Sequence, residues 1–212
     1  MRPYRDRFDA GRKLAAALRD APRPDVVVGL ARGGVQVAAE VARALGAELD
    51  VVAVRKVGHP WQPEYGIGAV VPGGVAYVRG SDGLTEEQVA RAVARARTDA
   101  EELDRRLHAL HPPADLRSKD VLLVDDGLAT GSTMIAAARW ARAAGARRVS
   151  AAVPVAAAET AAVVRGEVDE LTCPSEPAVF GAVGFWYEEF AQVDDAEVLR
   201  LLDEARHAGR VT

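Results

Sequence analysis

The stretch Val121-Leu122-Leu123-Val124-Asp125-Asp126-Gly127-Leu128-Ala129-Thr130-Gly131-Ser132-Thr133 decides how this chain is read. Four consecutive branched aliphatics suit a strand buried on both faces of a parallel sheet, and the Gly/Thr/Ser run behind them suits a tight loop. From Ser132 onward Met134, Ile135, Ala138, Ala141 and Arg142 recur at helical spacing as far as Gly145, a suitable stop. The order is strand, loop, helix. Such a loop turns backbone N–H groups and the hydroxyls of Thr130, Ser132 and Thr133 toward the positive end of a helix, where a phosphate dianion binds. Gly127 and Gly131 let the main chain approach that anion. Acids do not help to hold a phosphate, so Asp125 and Asp126 must face another part of the same ligand. A sugar with both a phosphate and free hydroxyls meets the two needs, because carboxylates accept hydrogen bonds from a diol.

The triphosphate-binding P-loop is one residue longer and has lysine where this chain has Ser132. The stretch resembles instead the ribose-phosphate signature of the type I phosphoribosyltransferases. The resemblance implies a doubly wound α/β fold with a parallel sheet, ligands at the C-terminal strand edge and a small C-terminal hood. It implies that Asp125 and Asp126 hold the ribose hydroxyls of phosphoribosyl pyrophosphate (PRPP) and that Ala129, Thr130, Gly131, Ser132 and Thr133 hold its 5'-phosphate. It also implies Mg²⁺, carried mostly on PRPP's own oxygens near Asp125 and Asp126, with no dedicated protein cage.

Upstream, strand, Gly-rich loop and helix occur once before: residues 26–30 are all apolar but for Gly29, Ala31-Arg32-Gly33-Gly34 follows, and Val37, Val41, Ala44 and Leu45 form a helical face. A strand at 50–54 completes a βαβ unit. By resemblance Ala31, Arg32, Gly33 and Gly34 are the pyrophosphate loop, where a strained, often cis, peptide aims backbone N–H groups at the leaving group. Arg55 and Lys56 close the next strand and by the same resemblance reach the pyrophosphate as catalytic cations. Residues 57–66 are too rich in Pro and Gly for an element. They are read as a lid loop with Trp61, Glu64 and Tyr65, excluding water from a hydrolysable intermediate. Segments 67–71 and 75–78 look like a hairpin.

Helical spacing predicts a first helix at 9–19, a long one at 84–110 capped by Thr85, a short one at 159–165 and a last one at 194–207. The long helix carries a heptad seam of Val89, Val93, Ala96, Ala100, Leu103, Leu107 and Leu110, which packs on the body or on a partner; its central alanines favour the body. His108 and His111 near its end suit the helix dipole better than a metal. Strands are expected at 149–155 and 170–173. Phe180, Phe185, Trp186 and Tyr187 gather aromatics outside the sheet pattern and are the candidate acceptor contacts of the hood. Residues 1–172 are thus the α/β core and 173–212 the hood segment with the final helix.

The net charge of −4, from 27 basic and 31 acidic residues, gives no general attraction to nucleic acid or anionic membrane. A DNA-binding form would need an added helix-turn-helix or a basic face; an RNA-binding form is harder to set aside. The single cysteine, Cys173, allows no disulfide framework, and no apolar run approaches a membrane span. A cytoplasmic protein is expected, and family analogy adds a homodimer. In the 6-oxopurine salvage enzymes an Asp stands at the position of Ala129, so hypoxanthine and guanine are the less expected acceptors. The expected activity is transfer of the phosphoribosyl group from PRPP to a small nitrogenous acceptor, weighed against one rival: a PRPP-binding regulator without turnover.

Overall fold

The computed structural model describes residues 3–74, 76–80, 83–110 and 112–209, apart from the side chains of Pro63, Glu64 and Gly209. Its centre is a five-stranded, wholly parallel sheet. The strands are β1 (Val26–Ala31), β2 (Glu48–Ala53), β6 (Asp120–Val124), β7 (Arg148–Ala152) and β8 (Glu170–Thr172), in the order β2-β1-β6-β7-β8. Burial on both faces explains why β1 and β6 read as continuous apolar runs. Val26, Val28, Val121 and Leu123 pack on one face, with Met134, Ile135 and Ala138 of α4 (Ser132–Ala143). Val27, Leu122 and Val124 pack on the other, with α1 (Arg7–Ala17), α2 (Gly33–Leu45) and α6 (Asp195–Gly209).

The chain first builds outward from β1 to β2 and then returns to lay β6 on the other side of β1. The loops after β1 and β6 therefore diverge from a shared crevice at the carboxyl ends of the strands, the place where open α/β sheets bind ligands.

A second, antiparallel sheet joins β3 (Arg55–His59), β4 (Gln62–Val70) and β5 (Ala76–Val78). This corrects the reading of residues 57–66 as a loop without an element. They form most of the β3–β4 hairpin, in which the register shifts on both sides of Gly58, and the expected strand at 67–71 is the rest of β4, where a Cβ on Gly68 would lie 2.1 Å from the Tyr77 carbonyl oxygen. The expected strand start at Val75 and the side chain of Glu64 lie outside the described residues, as does His111.

The long helix is α3 (Glu86–Leu107), opened by a capping box in which Thr85 and Gln88 satisfy each other's backbone N–H. Its seam packs on the body: Ala96 meets Val57, Ile67 and Val70, and Leu103 and Leu107 join the core beside β2 and α6. Leu110 is 76% exposed because the helix ends before it. The first helix starts two residues before the expected position because the Asp6 carboxylate accepts from the Asp9 N–H at 2.7 Å and caps it. A short α5 (Ala158–Arg165) follows β7. Val198, Leu201 and Leu202 of α6 are buried in the main core, so of the C-terminal segment only the part before α6 stands over the crevice. Among the described residues no helix is long and apolar enough to cross a membrane.

Candidate active site

The loop after β6 enters α4 with Gly131 as N-cap at φ 72°, and no side chain caps the helix. The first-turn N–H groups are thus left for an external acceptor. Ser132 is buried, Thr133 half-buried and Thr130 exposed, with Thr130 Oγ1 donating to Ser132 Oγ at 3.4 Å. Thr160 of α5 donates to the Ala129 carbonyl at 2.8 Å and fixes the loop from behind. The two glycines have a reason within the protein itself. A Cβ on Gly127 would lie 2.8 Å from Val183 Cγ1, and one on Gly131 would lie 2.9 Å from Thr160 Cγ2. Neighbouring protein fills the room they leave.

Beside this cradle the crevice brings the two acids against the loop after β1. A Cβ on Gly33 would sit 2.4 Å from Asp126 Oδ2, and one on Gly34 would sit 2.9 Å from Asp125 Oδ1. Only glycine there lets the acids and the loop share the space. The Ala31–Arg32 peptide is cis. Burial first, then the charge of Asp126, pushes Asp125 well above the usual carboxylate range, against the pull of Lys56 and Arg7. Asp126 is raised by burial too, and Arg7 is the strongest influence holding it down.

The sequence alone does not single out Arg7. It is 7% exposed, and its Nε donates to Asp126 Oδ2 at 2.7 Å while Nη1 donates to the Ala191 carbonyl at 2.7 Å. The guanidinium lies 3.8 Å from the centroid of the Phe190 ring. Tyr187, offered as a hood contact, is fully buried; its hydroxyl donates to the Asp126 carbonyl at 2.6 Å and so braces the acid from beneath. Burial drives that phenol far up, and Asp126 adds to the shift.

The segment over the site is made from both ends of the chain. Tyr4 N–H donates to the Trp186 carbonyl, and the N–H groups of Glu188 and Glu189 donate to the carbonyls of Tyr4 and Arg5. Phe180 and Trp186 stack at 6.2 Å, whereas Phe185 is 67% exposed. Trp61 and Tyr65 stand apart at the hairpin tip, grouped around His59 at ring distances of 5.4 and 6.1 Å.

Arg32 and Arg55 line an open cleft of about 420 Å³ together with Arg7, Gly33, Asp126 and residues 190–193. Arg32 is held at its rim by Asp195 (3.2 Å) and the Val193 carbonyl (3.2 Å). Burial and the nearby Arg32 lower the Arg55 pKa, as expected for two cations on one wall. Lys56 is exposed, and its charge acts on both aspartates. Among the described residues no group of three or more His, Cys, Asp or Glu side chains is placed to hold a metal ion.

Residues 4–189 match the family model described as a phosphoribosyl transferase domain. A Mycobacterium tuberculosis protein provisionally named as a phosphoribosyl transferase is 43% identical over 214 aligned positions, which is 97% of this chain and 47% of that protein. The chain thus spans about half the length of the curated relatives it matches. The crystal structure of TT1426 from Thermus thermophilus superposes with a TM-score of 0.80 at 43% identity, covering 96% of this chain and 99% of that one. The AQ2163 protein of Aquifex aeolicus shares the fold, with a TM-score of 0.50 at 15% identity over 80% of this chain and 74% of that one.

Proposed function

This chain belongs to the phosphoribosyl transferase family, and from that membership we propose that it transfers the 5-phosphoribosyl group of PRPP to a small nitrogenous acceptor with release of pyrophosphate. The observation that carries the reading is the meeting of Asp125 and Asp126 with an uncapped helix N-terminus and the Gly33-Gly34 turn in one crevice. The α4 N-terminus and the hydroxyls of Thr130, Ser132 and Thr133 take the 5'-phosphate, and the two carboxylates take the ribose diol.

In the reaction the anomeric carbon's bond to pyrophosphate breaks, its electron pair leaves with the pyrophosphate, and the acceptor nitrogen bonds to the carbon. Positive charge spreads over the ribose ring in the transition state. Carboxylates already fixed beside that ring stabilise the charge without reorganising, and more strongly for being out of water. The backbone of Ala31 to Gly34 with Arg32, Arg55 and Lys56 receives the opposite charge on the leaving group. The two carboxylates offer the oxygen donors that a hard cation prefers, so Asp125 and Asp126 are the residues that would face it. Mg²⁺ held on the donor's own oxygens would offset the charge of the departing pyrophosphate.

The hairpin tip with Trp61, Glu64 and Tyr65 serves as lid, and Phe180, Phe185 and Trp186 face the acceptor. In the same reading the protein acts as a cytoplasmic homodimer, on small molecules and without DNA or membrane. The test is pyrophosphate formation from PRPP and Mg²⁺ across a panel of purines, pyrimidines, anthranilate-like acids and amines. Release with at least one acceptor supports the enzyme. Tight PRPP binding with no release across the panel would favour a PRPP-responsive regulator instead.

A further inference from the structure

The acid pair is half-engaged by the protein. Asp126 Oδ2 accepts from Arg7 at 2.7 Å, and Asp125 Oδ1 accepts from the Asp126 backbone N–H at 2.9 Å. That leaves one oxygen on each carboxylate, Asp125 Oδ2 and Asp126 Oδ1, without a hydrogen-bond donor among the described residues. Two acceptor oxygens on adjacent residues match the two hydroxyls of a vicinal diol.

Arg7 is the group that makes this division on Asp126. It is itself over-determined: its Nη1 is bound to the Ala191 carbonyl, its face rests on Phe190, and its helix is capped by Asp6 one residue earlier. The guanidinium's fork has a fixed shape, so a carboxylate bound to Nε in this setting is held in one rotation. The backbone of Asp126 is held separately by the Tyr187 hydroxyl. Tyr187 lies in the stretch paired with residues 4 and 5, and Ala191 follows that stretch, so Arg7 and Tyr187 hold Asp126 at its side chain and at its main chain.

We propose that Arg7 is a positioning residue for the ribose: it turns the Asp126 carboxylate so that one oxygen is presented to a hydroxyl of the sugar, and it thereby links the segment over the site to recognition of the diol. The inference rests on the proposed donor site, and the experiment separates the two.

Binding of ribose 5-phosphate and of 2-deoxyribose 5-phosphate is measured by calorimetry on the full chain, for the natural protein, Arg7→Met and Arg7→Lys. The natural protein is expected to prefer the ribose compound by about tenfold, the worth of one hydrogen bond to a charged acceptor. Arg7→Met should bring that preference near to unity while binding of the deoxy compound, which reports the phosphate loop, stays within about twofold. Arg7→Lys keeps the charge but not the fork and should recover only part of the preference; it also serves if Arg7→Met does not fold. A folded variant that keeps the full preference overturns the role of Arg7 alone. Equal loss of both ligands overturns it too, since that is what mere unfolding of the region would do. A natural protein that binds neither sugar phosphate overturns the donor site itself.

Discussion

Asp125 with Asp126 at the head of β6, and Asp50 on β2 with Asp104 on α3, are two acid pairs each served by one cation, Arg7 in the first and His108 in the second. In the second pair the cation is spent. His108 Nδ1 meets Asp104 Oδ1 at 3.0 Å, its Nε2 meets Asp50 Oδ1 at 3.3 Å, and Asp50 Oδ2 accepts from the Ala114 N–H at 2.9 Å. With carboxylates at both nitrogens the ring donates from both, which is the protonated form. The cluster ties the end of α3 to β2 and keeps no capacity for a ligand on Asp50. At Asp125 and Asp126, by contrast, one cation and one backbone donor serve four oxygens. Burial of acid alone is therefore a weaker pointer to a ligand than burial with unspent acceptor capacity.

The largest effect should come from removing that capacity. Asp125→Asn combined with Asp126→Asn is expected to lower the rate of pyrophosphate release by about a hundredfold or more, because the ring loses its fixed counter-charge. On the fold the same change has two opposed effects, since two acids forced upward by burial are relieved while buried Arg7 loses its charged partner. A double variant that turns over normally would dissolve the distinction between the two pairs.

Space at the site can be tested without removing a charged group. Gly33→Ala puts a methyl 2.4 Å from Asp126 Oδ2 and 3.0 Å from Arg7 Nε, so the ion pair must part. PRPP affinity should fall by about tenfold, the worth of the displaced charged contact. Gly46→Ala is the matched control: its φ of 65° makes it costly by about 1 kcal/mol, yet nothing lies within 4 Å of the new methyl. It should lower thermal stability and leave PRPP affinity unchanged.

How much of this was legible follows from sequence distance. Asp125, Asp126 and the loop to Thr133 are neighbours in the chain, so strand, glycine and hydroxyl signals reinforced one another before any fold was known. Arg7 lies 119 residues from Asp126, and nothing local distinguishes it from the chain's many other arginines except the Asp6 cap beside it. His108 and Asp50 are 58 residues apart, so the sequence showed only a histidine near a helix end. The strand at 67–71 was legible, but residues 57–66 before it were hidden for another reason. Glycine usually breaks an element, whereas Gly58 is there to bulge a strand.

At the spent pair the expected change is in stability. His108→Gln leaves Asp50, 2% exposed, with the Ala114 N–H as its remaining described partner. A loss of roughly 3–5 kcal/mol in denaturant unfolding is expected, as for a buried pair broken on one side. The PRPP affinity of the folded protein should be unaltered.

The smallest effect, and the one that resolves the two pairs in a single protein, is the pH dependence of stability without ligand. Burial pulls His108 down, but its hydrogen bonds to Asp104 and Asp50 outweigh that and push the pKa up from 6.5 to about 9. A raised folded pKa means the folded chain keeps a proton that the unfolded chain releases. The contribution is therefore complete below 6.5 and is lost as pH climbs through about 9. Asp125 and Asp126 are also raised, so their share falls with rising pH as well, but the fall begins where an unfolded carboxylate ionises, near 3.8. Melting curves taken across pH should show two descending segments. The double Asn variant should flatten the acidic one alone, and His108→Gln the alkaline one alone. If either variant removed both, the two clusters would be coupled through the sheet, and the division between a spent pair and an open one would not hold.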